Sequence, residues 1–186
     1  MAELASRGQL RAALVRMAMI FVPLVMALGF LSAQLAGTGH AGWYDLLAKP
    51  AFTPPPAMFG IAWAVLYAML GLALAFVWHA FGHPLRTTAI VAFCIQLALN
   101  LAWSPVFFGA RQLFGGLVLM IAILIAAVVA TILLFKVRRT AGWLMVPYLA
   151  WLALALYLNA GVWRLNPDAG RIDSSGDVEM SIGATK

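Results

Sequence analysis

Five apolar runs follow one another along the chain, each cut off by a short cluster of polar, glycine or proline positions. They cover about residues 17–35, 58–78, 87–108, 113–135 and 143–163. A helix rising about 1.5 Å per residue needs roughly 20 residues to cross a hydrocarbon core of about 30 Å, and every run reaches that length. Leucine and alanine recur without the in–out alternation of lipid-facing strands, so a barrel is excluded. The first run exceeds the ~7–15 residues of a signal-peptide core and four more spans follow it, so it reads as a retained helix. The pattern predicts an all-α integral membrane protein, a bundle of five transmembrane helices. Residues 1–166 form the membrane domain, and 167–186 are expected to be a disordered polar tail.

The connections sharpen this picture. GARQ and KVRRTAG are so short that the helices they join must be antiparallel neighbours. Residues 36–57, AGTGHAGWYDLLAKPAFTPPPA, form the one long connection, expected to lack regular structure and to cover a ligand site. Pro54, Pro55 and Pro56 make a stiff extended strut into the second span. Trp43 and Tyr44 are expected at the membrane interface or over the bundle mouth.

Composition agrees with the pattern. Of 186 residues, 65% are hydrophobic and 10% charged, against roughly 45–50% and 25% in soluble domains. The surplus must face lipid. A soluble enzyme, a nucleic-acid partner and a disordered regulator are thereby excluded. Arg7, Arg11, Arg16, Arg86, Lys136, Arg138 and Arg139 share one side of the membrane, and fewer basic residues flank the spans on the other. The positive-inside rule then puts the N-terminus in the cytoplasm, if the bilayer is a plasma membrane. The lone Cys94 reads as a buried, inert thiol. His40, His79 and His83 have no carboxylate or thiol neighbours suited to a metal, and the spans carry no acid or base for ion pumping.

Aromatic and amide side chains remain, at helical spacing. Trp151, Ala155, Asn159 and Trp163 fall at steps of four on the fifth span, as do Phe59, Trp63 and Tyr67 on the second. Gly60, Ala64 and Gly71 lie beside the latter and suit close helix approach. Gln96, Asn100 and Trp103 cluster on the third. Interfacial anchoring, helix packing and cross-helix hydrogen bonding each account for such residues singly. Together they suit a flat, apolar ligand oriented by a few amide tips.

These residues carry a resemblance. The stretches WYDLLAKPAFTPPPAMFGIAWAVLYAMLGLALAFVW, NLAWSPVFFGAR and VPYLAWLALALYLNAGVWRLNP resemble the tryptophan-rich sensory protein and translocator protein family, also known as the peripheral benzodiazepine receptor family. The resemblance implies a five-helix bundle that binds porphyrins, haem intermediates or, in mitochondrial members, sterols between its helices, with the first loop as a lid. It implies pocket positions at Trp43, Trp63, Asn100, Trp151, Ala155 and Asn159; Tyr67 and Trp103 join them on spacing. No cofactor is required, and protoporphyrin IX or haem is the suspected ligand. Lys49 and Arg164 are the candidate partners for its carboxylates. A homodimer through the third helix at Ala102, Val106 and Phe107 is also implied. Porphyrin sensing, facilitated transport and light- or oxygen-dependent porphyrin breakdown are the functions to be weighed. The charge bias favours a bacterial inner membrane, and the outer membrane stays open. The sterol-recognition pattern fails because six residues separate Tyr157 from Arg164.

Overall fold

The computed structural model describes residues 7–37 and 40–167. The tail expected beyond Pro167 lies outside the described residues. The chain runs through α1 (Arg7–Leu35), α2 (His40–Leu46), α3 (Pro56–Trp78), α4 (Arg86–Ser104), α5 (Leu113–Val137) and α6 (Arg139–Leu165), with a π-helical turn at Pro105–Gly109 extending α4. All but α2 are long and apolar enough to cross a membrane. The chain is thus a multi-pass integral membrane protein whose five spanning helices form one bundle.

The outer faces are apolar, with Phe30, Ile61, Val91, Ile125 and Tyr157 all exposed. Cys94 is among these outward positions rather than buried as expected. Its side of α4, shared with Val91 and Ile95, turns toward lipid while Phe93, Gln96 and Asn100 turn inward. Leu70, Ile123, Leu134, Met145 and Leu152 fill the centre. The tightest helix contact is between α1 and α3, where a Cβ added at Gly71 would lie 2.6 Å from Cα of Val22. Gly60, expected to serve the same purpose, has nothing within 4 Å of such a Cβ.

Two features depart from the sequence expectation. The first connection contains α2, because Trp43 and Leu47, four apart, bury against Phe107, Leu113 and Val162. The third span does not run as an uninterrupted α-helix to Phe108. Pro105 has no N–H for the carbonyl of Leu101, four residues earlier, and the backbone relaxes into the π turn. The Ser32 hydroxyl of α1 donates to that carbonyl at 2.5 Å, satisfying a group that lipid cannot. The turn also commits Phe107 to the interior, 2% exposed, stacked on Trp103 at 4.8 Å. Of the three residues suggested for a dimer contact, Phe107 is therefore withdrawn from the outer surface, while Ala102 is exposed and Val106 partly so.

Candidate functional site

At the end of the bundle that carries α2, the helices diverge around a cavity of about 860 Å³, near the upper range of small-molecule sites, roughly 300–1,000 Å³. Its roof is the first connection, with Tyr44, Lys49 and the Pro54–Pro56 strut; its walls are α3, the α4 π turn and α6. A second cavity of about 360 Å³ lies between α1, α3 and α4. The two share Ala33, Gly60, Trp63, Trp103 and Ser104.

The aromatic wall is built on helical spacing. Trp63 stacks on Tyr67 one turn on, with centroids 5.3 Å apart. Across the cavity it meets Trp151 of α6 nearly edge-on, at 6.3 Å and 84°. Phe59 meets the same indole at 5.7 Å. Trp151, Ala155 and Asn159 succeed one another down α6, all lining the larger cavity. Ala155 contributes space where a larger side chain would fill the wall.

Polar atoms divide into satisfied and unsatisfied sets. The Tyr67 hydroxyl donates to Oδ1 of Asn100 at 2.9 Å, and the Trp103 indole N–H donates to the Gly116 carbonyl at 3.1 Å. Deeper, the Tyr148 hydroxyl donates to Oε1 of the fully buried Gln96 at 2.9 Å. By contrast, Nε1 of Trp151 and both amide atoms of Asn159 are buried without a hydrogen-bond partner. An unpaired buried polar group costs roughly 1–3 kcal/mol, so these atoms are the ones a ligand would benefit.

Of the sequence-named residues, Trp63, Tyr67, Asn100 and Trp103 line the smaller cavity, and Trp63, Trp103, Trp151, Ala155 and Asn159 the larger. Trp43 lines neither. It is 1% exposed and packs 6.2 Å from Phe107, anchoring the lid from beneath. Its neighbour Tyr44 reaches the cavity instead, and burial together with the Asp45 carboxylate pushes the phenol up, so it stays protonated. Lys49 is on the wall, whereas Arg164 is exposed near the end of α6 and is not.

The lid is latched at two points. Asn166 accepts from the Ala48 N–H and donates to the Ala48 carbonyl, both at 2.9 Å, and Pro50 rests against Gly161.

Tyr148 went unnoticed in the sequence, where it stands among leucines with no polar neighbour; only Gln96, on another helix, gives it a role. Tyr148→Phe leaves Gln96 with no partner in a dry core. Membrane hydrogen bonds average only about 0.6 kcal/mol, but a wholly sequestered amide lies toward the orphaned-group range. The expected loss is about 1–2 kcal/mol in detergent unfolding, with ligand affinity unchanged. A loss below about 0.5 kcal/mol would mean the amide finds another partner.

The TspO/MBR family model matches residues 21–164. Protein CrtK of Rhodobacter capsulatus is 33% identical over 149 residues, covering 77% of this chain and 93% of that protein. Tryptophan-rich protein TspO of Archaeoglobus fulgidus is 38% identical over 143 residues, covering 76% and 92%. The human Translocator protein is 41% identical over 127 residues, covering 67% and 75%. With the match running through every spanning helix, this chain belongs to the TspO/MBR family.

Proposed function

We propose that this protein is a membrane receptor of the sensor type that holds porphyrins, or similar flat hydrophobic ligands, in the aromatic cavity beneath its first connection. One observation carries the reading: the indoles of Trp63 and Trp151 stand edge to face across one cavity, and the unpaired Asn159 amide is on the same wall. Indole faces suit a planar ring, and the amide would orient it. Trp63, Tyr67, Asn100, Trp103, Trp151, Ala155 and Asn159 are the proposed contact residues, with Trp43 supporting the lid. Membership of a family whose members include a Translocator protein supports the coarser role, a membrane sensor or transporter.

The test is quenching of tryptophan fluorescence by protoporphyrin IX, in darkness, on detergent-solubilised protein. Saturable binding is expected, weakened about tenfold in Trp151→Ala, since loss of a ring contact (~0.5–1.5 kcal/mol) and of buried apolar area both count. Binding no better than partition into empty micelles, or unaffected by the substitution, would remove the reading.

Facilitated transport is the second reading, favoured by the smaller cavity. Its rim residues Phe30, Ala33, Gly60 and Ala64 are exposed on the outer faces of α1 and α3, and it adjoins the larger cavity. The charge bias supports an inner-membrane location with the N-terminus in the cytoplasm. A homodimer through α4 would rest on Ala102 and Val106.

A further inference from the structure

The larger cavity is chemically polarised. Lys49 is the basic residue on its wall, half-buried at the mouth. Its ammonium donates to the carbonyls of Asp45 at 3.3 Å and Leu47 at 3.4 Å, and it lies 4.8 Å from the Tyr44 ring centroid. Both carbonyls belong to the C-terminal end of α2, where a cation is favoured. An ammonium has three donors, and those two bonds sit at the long end of the useful range. Among the described residues no carboxylate pairs with it. Asp45 also rims the cavity, but its side chain is exposed. Water and salt screen that charge more than they screen a half-buried ammonium. Farther along the same wall, Trp151 Nε1 and the Asn159 amide are buried and unpaired.

We infer that the cavity selects an amphiphilic acid: a flat apolar ring system bearing a carboxylate arm, the carboxylate paired with Lys49 at the mouth. The ring body lies between Trp63 and Trp151, with its heteroatoms meeting Asn159 and the Trp151 N–H. This rests on the ring-binding reading above and adds that charge, not shape alone, decides which rings are held. A neutral ring of the same outline fills the same walls and leaves the ammonium with its two long carbonyl bonds.

Protoporphyrin IX and its dimethyl ester separate the two ideas, because they share the ring and differ in charge. Both are titrated in darkness into wild-type, Lys49→Met and Lys49→Arg proteins in a non-ionic detergent, with partition into empty micelles subtracted. Wild-type protein is expected to bind the acid about tenfold more tightly than the ester, the ordinary scale of one charge-assisted hydrogen bond at a partly wet site. Lys49→Met keeps the apolar stem, erases that preference and leaves the ester's affinity unchanged. Lys49→Arg retains the preference, which shows that charge is the cause and not a disturbed α2. Equal binding of acid and ester to the wild type, or a preference that survives in Lys49→Met, overturns the inference while ring binding stands. Failure of both compounds to bind overturns the ring-binding reading, and this inference falls with it.

Discussion

Gly71→Leu is expected to separate α1 from α3 and to cost the bundle more than about 3 kcal/mol. A Cβ at this position would lie 2.6 Å from Cα of Val22 and 2.8 Å from the carbonyl oxygen of Phe21. Both are backbone atoms of a helix, so no flexible side chain can yield. The helices must move apart, and overpacking in a core costs about 1–3 kcal/mol even where side chains can adjust. In a bilayer, helices associate through close van der Waals contact rather than hydrophobic expulsion, so the lost approach is not recovered elsewhere. The damage spreads, because α1 also supplies the Ser32 hydroxyl bound to the Leu101 carbonyl. Gly60→Ala is the matched control: its new methyl meets nothing within 4 Å, and alanine is the better helix former by about 1 kcal/mol. Thermal unfolding in detergent should fall sharply for the first variant and hold or rise for the second. Equal melting of the two would show that α1 is not held by this contact.

The contrast between these glycines also marks where sequence reasoning works. Both stand beside the Phe59–Tyr67 stripe and both suit close approach, yet only Gly71 meets another helix. Spacing tells which residues share a face; it does not tell which neighbour arrives there. The five spans were legible because 20-residue apolar runs have few alternatives in a bilayer. The gathering of Trp63, Trp151 and Asn159 on one cavity was legible for the same reason, since steps of four on facing helices must converge somewhere. Events that depend on a single distant partner were not. Trp43 belongs to a short helix because Phe107 and Val162 shelter it, and neither is near it in the chain. The Pro105 turn rotates Phe107 inward, against a pattern that put it on a dimer surface. Cys94 sits in an apolar run that looks the same whether it faces lipid or core.

Asn166→Ala is expected to speed ligand release about 30-fold while changing the dissociation constant much less. The Asn166 side chain exchanges two hydrogen bonds with the backbone of Ala48, in the manner of a strand pair, and so ties the roof of the cavity to the end of α6. Each such bond contributes about 0.5–1.5 kcal/mol, so losing both favours opening by about 2 kcal/mol, or roughly 30-fold. Asn166 does not line the cavity. A looser roof then accelerates binding and release together, and their ratio is largely kept. A wall substitution such as Trp151→Ala acts differently, raising the release rate with little change in the association rate. Gly161→Val reaches the same latch independently, because its side chain would occupy the place of the Pro50 ring, 2.3 Å from Cγ. Stopped-flow fluorescence with protoporphyrin IX gives both rates for each variant. If both latch variants leave both rates unchanged, the ligand does not pass beneath the first connection. The path would then run through the smaller cavity between α1 and α3, and the transport reading would become the stronger one.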